Sequence, residues 1–396
     1  MGPLLLLPLL LAADLAGPWR AVLDQAGGPL RFAMTVERAG PGWSGTLCNG
    51  PVCDPFSGIR PEGDSIVFEI ADYDAAITAV QRGDSLVGYY RNVGNRGPRV
   101  IPFLAVRGVW PVQPAGERLV GSWDATFNQN GRLSPRVVQV RNGATGIEGA
   151  FLANSGDYGM FWGSAIGDSL DLAHFDGTFV FRLTGRLDGD TLSGLFHAGL
   201  RTQTPFTAVR STGRRHLTPP RELTRADTTS PFRFAFPDLE GRPVTNEDPR
   251  FRGKVVLVDI FGSWCATCHD AAPVLAELYR DYRDRGLEIV GLAYEVTGDS
   301  AVDNRQVRRF RDKFGLPYTI LLAGLNVVEA TAATLPQLDG FTAYPTSLFL
   351  GRDGRIRQVH AGFIGKSVPE QYQRQIQEYR STIEALLDEP APDGGT

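Results

Sequence analysis

Four short sequences in the first half of the chain return about 104 residues later, and that echo constrains the fold more than any other feature. Gly17-Pro18-Trp19-Arg20-Ala21 returns as Gly121-Ser122-Trp123-Asp124-Ala125, and Gly63-Asp64-Ser65 as Gly167-Asp168-Ser169. Gly83-Asp84-Ser85-Leu86 returns as Gly189-Asp190-Thr191-Leu192, and Pro102-Phe103-Leu104-Ala105-Val106-Arg107 as Pro205-Phe206-Thr207-Ala208-Val209-Arg210. So steady an offset predicts two copies of one unit, at residues 17–108 and 118–212. Alternating apolar runs at 30–36, 65–70, 76–80 and 86–90 read as strands, as do 179–183 and 192–196 in the second copy. The Gly-Asp pairs fall between runs, where hairpin turns need positive φ. No helical period interrupts them. Two small antiparallel β-sandwiches or barrels, packed together, are expected.

Composition excludes some functions. The formal net charge of −4 leaves no basic footprint, which argues against nucleic acid as a partner. Hydrophobic residues make up 42% of the 396, enough for packed cores. The apolar run at residues 4–13 is too short to span a bilayer and suits a signal-peptide core, although no Lys or Arg precedes it. Small residues Ala12, Ala13 and Ala16 follow it. Residues 1–16 are therefore expected to direct the chain out of the cytoplasm, or to tether it if uncleaved.

Only four cysteines are present, in two close pairs. Cys48 and Cys53 flank a Gly/Pro loop and suit a disulfide that staples it, with a second redox pair as the sharper alternative. The lone histidines His174 and His197 sit in strand-like contexts and are expected to be hydrogen-bonded residues rather than metal ligands. Residues 213–230 are polar, charged and Pro-rich and read as a linker. The tail at 389–396 is expected to be disordered.

From Phe232 the pattern changes to strands alternating with helices. Residues 254–261 form a near-continuous apolar run, as a buried parallel strand requires. It feeds into Trp264-Cys265-Ala266-Thr267-Cys268-His269, and a helix follows to about Arg285, stopped by Gly286. A second buried strand (287–294), a helix ending at Gly315, a third strand (318–322), a hairpin (347–350 with 356–359) and a helix at 369–387 complete the domain. A cysteine at a helix N-terminus meets exposed N–H groups and the positive end of the dipole, which favour a thiolate. One turn on, a second cysteine reaches the same sulfur and can resolve a mixed disulfide. Cys265 thus reads as the nucleophile and Cys268 as the resolving thiol.

With these residues in view, 231–388 resembles the thioredoxin fold and, more narrowly, the exported TlpA/ResA-like thiol–disulfide oxidoreductases. Trp264 precedes the pair and Pro273 follows Cys268 by five, as in that superfamily. Asp259 stands where thioredoxins keep a buried aspartate, and Tyr344-Pro345 where the superfamily keeps a cis-proline. The resemblance implies that Asp259 exchanges a proton with Cys268. It also implies that Trp264 covers the dithiol and contacts substrate, and that Pro345 presents the Tyr344 backbone to a substrate strand. Many members have an acidic residue three positions after the second cysteine; this chain has Ala271. The expected fold class is α+β multidomain, two antiparallel β units followed by an α/β thioredoxin-fold domain. The expected function is an exported protein-disulfide reductase with thiol or disulfide protein substrates and a membrane thiol donor, with no cofactor and no metal.

Three alternatives remain open at this stage. Cys265-Ala266-Thr267-Cys268-His269 is also a c-type haem attachment pattern, with His360 as the local axial candidate. Otherwise His269 is expected to be an exposed helix residue. The β units could also act as a non-catalytic binding platform, or as a spacer or dimerisation module. A peroxidase is disfavoured, because Gly262 stands where a peroxiredoxin has threonine.

Overall fold

The computed structural model describes residues 15–25, 27–92, 98–112 and 116–390. The expected leader through residue 14 and the tail from residue 391 lie outside the described residues.

Alternation builds the barrel walls. In Gly17–Gln25, Trp19, Ala21, Leu23 and Gln25 are buried while their neighbours face outward, the two-residue period of a half-buried strand. Gly28–Ala39 and Gly121–Gln129 repeat the pattern. The first unit carries nine antiparallel strands, and its sheet closes where Gly28–Ala39 pairs with Gly42–Asn49. Eight strands form the wall, and Val52–Pro55 continues the sheet beyond the ring as a short flap. The second unit is a closed barrel of eight strands, from Gly121–Gln129 to Thr202–Arg210. Both are therefore barrels rather than sandwiches.

Echoed residues occupy matching stations. Trp19 lies opposite Arg107 across the closing strands, and Trp123 opposite Arg210. Each guanidinium sits over its indole, at 4.5 and 4.1 Å, a contact worth roughly 0.5–2 kcal/mol. Each indole N–H donates to a carbonyl four residues upstream, Leu15 at 3.1 Å and Leu119 at 3.0 Å. Gly83 and Gly189 both start two-residue turns with φ near 60°, at 59° and 57°, where a side chain would strain the backbone.

The stretch expected as a linker is fastened down. It holds the helix Pro220–Leu223 and the strand Arg225–Ala226, which pairs with Leu338–Asp339. His216 Nε2 donates to the Ala125 carbonyl at 2.9 Å, and the Thr218 N–H to Asn154 Oδ1 at 3.0 Å. Its polar side chains hold neighbouring units instead of keeping the segment solvated.

The C-terminal sheet runs Thr319–Leu325, Leu287–Glu295, Val255–Phe261, Thr346–Leu350, Ile356–Ala361. The first three are parallel and the last two antiparallel. Val255–Phe261 is buried along its length, as a central strand covered on both faces must be. Leu257 and Phe261 pack with Ala266–Tyr282, Ser300–Phe314 and Pro369–Leu387. Val256, Val258 and Ile260 pack on the other side against Phe234, Val244 and Phe251. Local signals place the helix ends: Asp299 caps Ser300–Phe314 by accepting from Ala301 N–H at 2.9 Å, and Gly315 and Gly286 end their helices in the left-handed region. The short helix Val328–Thr334 was not anticipated from the sequence.

The two barrels interlock. Phe175, on the outer wall of the second, packs 4.9 Å from Phe32 and 5.0 Å from Tyr90 in the core of the first. Asn49 clasps the Phe175 backbone through both its N–H and its carbonyl, at 2.9 and 2.8 Å.

Candidate active site

Strand Val255–Phe261 ends below a tight turn, and Cys265 caps the helix Ala266–Tyr282 that leaves it. Cys265 Sγ accepts the Cys268 backbone N–H at 3.3 Å. The same sulfur lies 3.3 Å from Thr267 Oγ1 and 3.7 Å from the Tyr344 carbonyl. Both cysteines are free thiols, so this is the reduced dithiol, and both are buried, at 4% and 2% exposure. A sulfur at a helix N-terminus that already accepts an N–H is prepared to carry negative charge.

Asp259 shares strand parity with Leu257 and Phe261, so its side chain points toward the helix that bears the dithiol. It is 5% exposed, and its Oδ1 finds no hydrogen-bond partner among the described residues. Burial pushes its pKa up from 3.8 to about 7. Burial also lifts the Cys268 thiol well above the ordinary range, helped by its hydrogen bond to Cys265 and by the charges of Cys265 and Asp259. Trp264 is pinned by its N–H to the Tyr294 carbonyl at 2.8 Å, with its ring edge-on to Tyr344 at 5.4 Å. The Tyr344-Pro345 bond is cis, and the Tyr344 carbonyl accepts the Thr267 hydroxyl at 3.4 Å. The fold thus brings Cys265, Cys268, Asp259, Trp264, Tyr344 and Pro345 into one neighbourhood.

Several residues at this site were missed in the sequence. Glu295 ends its strand fully buried and takes both the N–H and the hydroxyl of Ser263, at 2.7 and 2.6 Å. It braces the turn that carries Trp264 and Cys265. Burial raises its pKa to about 8, against the pull of those two bonds. A charged residue closing the apolar run 287–294 was the signal that could have marked it.

His269 is not the exposed helix residue expected. Its Nε2 donates to the Ser263 carbonyl at 2.7 Å, and its ring stacks on Tyr73 of the first barrel at 4.9 Å. Phe310 meets the same ring edge-on at 5.0 Å. Burial, then the Lys313 charge, holds His269 down to about 4. Asp270, one residue further, lies close to Asp157 of the second barrel. A methyl group on Gly365 would fall 2.1 Å from Asp270 Oδ2 and 3.2 Å from Asp157 Oδ1. Burial, then the Asp157 charge, raises Asp270 to about 8. Asp157 is itself held by Ser367 and by the Gly365 N–H. Lys313 pairs with Asp72, next to Tyr73. Both barrels therefore press on the helix that carries the dithiol.

The remaining candidates lie in the barrels. Cys48 and Cys53 form a disulfide across a strand pair in the first barrel. His174 is buried, with Nδ1 donating to the Met160 carbonyl at 2.9 Å. His197 is buried where the second barrel meets Gly27. The residues around the dithiol do not fit a haem. His269 spends Nε2 on Ser263, and His360 is buried against Gln375. Among the described residues no three His, Cys, Asp or Glu side chains form a metal-holding group.

Residues 225–374 match the Redoxin family model. The chain is 30% identical over 150 residues to the thiol-disulfide oxidoreductase ResA of Bacillus thuringiensis subsp. konkukian, covering 38% of this chain and 74% of that protein. It is 29% identical over 157 residues to the ResA of Halalkalibacterium halodurans, covering 39% and 80%. Among solved structures, a thiol:disulfide interchange protein of the thioredoxin family from Chlorobium tepidum is 20% identical with a TM-score of 0.32, covering 41% of this chain and 99% of that one.

Proposed function

Because the chain belongs to the ResA-like family of thiol–disulfide oxidoreductases, we propose that it works as a protein-disulfide reductase outside the cytoplasm. The observation that carries this is the dithiol itself: Cys265 Sγ on the helix N-terminus, bonded to the Cys268 N–H, above a buried carboxyl with an unpartnered oxygen. The Cys265 thiolate attacks one sulfur of a substrate disulfide. A Cys265–substrate disulfide forms, and the other substrate sulfur leaves and takes up a proton. Cys268 then gives its proton to Asp259 and attacks Cys265 Sγ. The Cys265–Cys268 disulfide forms, the second substrate thiolate leaves, and the substrate has gained two electrons. Asp259 returns its proton to solvent or to the departing thiolate. An external dithiol, supplied at the membrane, must restore the reduced pair.

Both thiols are buried, so substrate enters where Tyr344 meets Cys265. An extended substrate strand would replace the Thr267 hydroxyl as the partner of the Tyr344 backbone, with Pro345 fixing its direction. Trp264 packs over the same edge. The Cys48–Cys53 bond supports an oxidising compartment, and the apolar stretch at 4–13 supports export to it. No described helix is long and apolar enough to cross a membrane. Ala266-Thr267 adds no charge beside the sulfur, which favours a reducing pair over a strongly oxidising one.

The test is a trap. Cys268→Ser should accumulate a mixed disulfide with a peptide substrate through Cys265, while Cys265→Ser accumulates none. The potential of the wild-type pair should lie near roughly −270 mV, and a value near roughly −120 mV would make the protein an oxidant instead. A trapped adduct on Cys268 in place of Cys265 would overturn the assignment of roles.

A further inference from the structure

The two barrels have the same strand number, but their interiors are filled differently. Phe175 from its neighbour packs into the core of the first, beside Phe32 and Tyr90. In the second, Trp123, Val138 and Ile147 pack one end, and the same buried cluster continues into Phe127, Phe151, Phe181 and Phe196. At the other end its strands, together with Pro98 and Arg99 of the first unit, frame a cavity of about 740 Å³. Eight strands leave an interior that side chains can fill or that can hold one small ligand, and the two barrels show one outcome each.

The cavity has a defined chemistry. Phe127, Phe151, Tyr158, Phe179, Phe181 and Phe196 form its walls. They support one another: Phe151 stacks on Phe196 at 5.0 Å, and Tyr158 lies 5.3 Å from Phe181. Such rigid rings keep an apolar hollow open when nothing occupies it. Arg99, Arg136 and Arg201 line the same cavity, and among the described residues no Asp or Glu lines it. The groups that hold two of these guanidiniums are neutral. Arg99 donates to Asn92 Oδ1 at 3.0 Å and to the Thr178 carbonyl at 2.6 Å, and Arg136 to the Pro135 carbonyl at 2.8 Å. Arg201 is exposed. In a chain of net charge −4, this clustering of cations is a local choice.

We propose that the second barrel is a binding site for an amphipathic organic anion, an apolar body carrying a single carboxylate head. The body lies among the six rings and the carboxylate meets Arg136 and Arg201, where guanidinium donors can take both of its oxygens. A cavity of this volume matches a drug-sized or medium-chain ligand.

The test titrates the full-length chain with the fluorescent fatty acid cis-parinarate, then displaces it with palmitate or with hexadecanol, the uncharged analogue. Saturable binding at one site per chain is expected, with palmitate displacing the probe at roughly tenfold lower concentration than the alcohol. Arg136→Gln/Arg201→Gln should weaken palmitate by roughly tenfold or more and leave hexadecanol unchanged. Ala198→Trp, which fills the mouth, should remove both, and disulfide exchange should persist in every variant. Absence of saturable binding, equal displacement by the alcohol, or an Arg136→Gln/Arg201→Gln variant that binds palmitate like the wild type would each overturn the proposal.

Discussion

Replacing Asp259 with Asn tests the proton path and the energetics of the site together. The carboxyl is 5% exposed and raised from 3.8 to about 7, which puts roughly 4 kcal/mol against its ionised form at about 1.36 kcal/mol per tenfold. Below pH 3.8 the group is protonated whether the chain is folded or not, and it costs nothing. Between 3.8 and 7 the unfolded chain ionises first, so stability falls as pH rises; above 7 the whole cost is present. Asp259→Asn removes that cost and leaves a buried amide to satisfy, worth roughly 1–3 kcal/mol. The variant should therefore fall roughly 1–3 kcal/mol below the wild type near pH 4 and exceed it by roughly 1–3 kcal/mol near pH 8, read by denaturant unfolding.

Activity should move the other way. Without a proton acceptor, attack by Cys268 should slow by roughly a hundredfold. A Cys265–thionitrobenzoate mixed disulfide reports that step directly, through release of the coloured thiol in a stopped-flow cell. The wild-type rate should rise with pH around a midpoint near 7, and the rise should vanish in Asp259→Asn. If the variant keeps both the rate and the pH profile, Asp259 is not the proton acceptor, and its raised pKa is only a by-product of burial.

Other perturbations separate the remaining ideas. Asp259, Glu295 and Asp270 are raised from the ordinary carboxyl range to between about 7 and about 8, so each withdraws stability as pH climbs from about 4 up to that value. His269 and His360 are lowered to about 4, so they withdraw stability as pH falls from 6.5. Calorimetry should accordingly show Tm rising as pH drops from about 8 to about 6.5 and rising less steeply below, where the two histidines offset part of the gain; a Tm that climbs steadily to about pH 9 would contradict these burial effects. Cys48→Ser/Cys53→Ser should cost at most about 2 kcal/mol, because the closed loop is short, with thiol exchange unchanged; a marked loss of exchange would favour a relay between the two pairs. Tyr73→Ala removes a ring contact worth ~1 kcal/mol from His269 and should quicken alkylation of reduced Cys265 severalfold. Unchanged alkylation would mean that the first barrel does not shield the dithiol.

Much of the site could be read locally. The strand–turn–helix around Trp264 and Cys268 follows from an apolar run, a cap position and a one-turn spacing, all short-range properties of the chain. Asp259 was marked by its match to the buried aspartate of thioredoxins. The C-terminal end of Ser300–Phe314 and both ends of Pro369–Leu387 fall where the sequence signals place them. The echo of Trp19 and Arg107 in Trp123 and Arg210 singled out residues that each barrel sets side by side. Glu295 and His269 were visible as letters, but nothing nearby said that one would brace the turn or that the other would be covered.

The family resemblance pointed to the carboxyl beneath the dithiol, and the sequence by itself determined most strands and helices of the dithiol domain and where the dithiol sits on its helix. These depend on backbone geometry over a few residues, and periodicity and capping report that geometry directly. Tertiary structure alone decided that Tyr73 stacks on His269, that Asp157 confronts Asp270, that Phe175 occupies one barrel, and that the other keeps a cationic aromatic hollow. The contacts between units join residues more than about 100 positions apart, as in Tyr73 with His269 and Phe32 with Phe175. Their energies arise from desolvation and ring packing between surfaces that no local pattern describes, so they exist only once the three units have closed on one another.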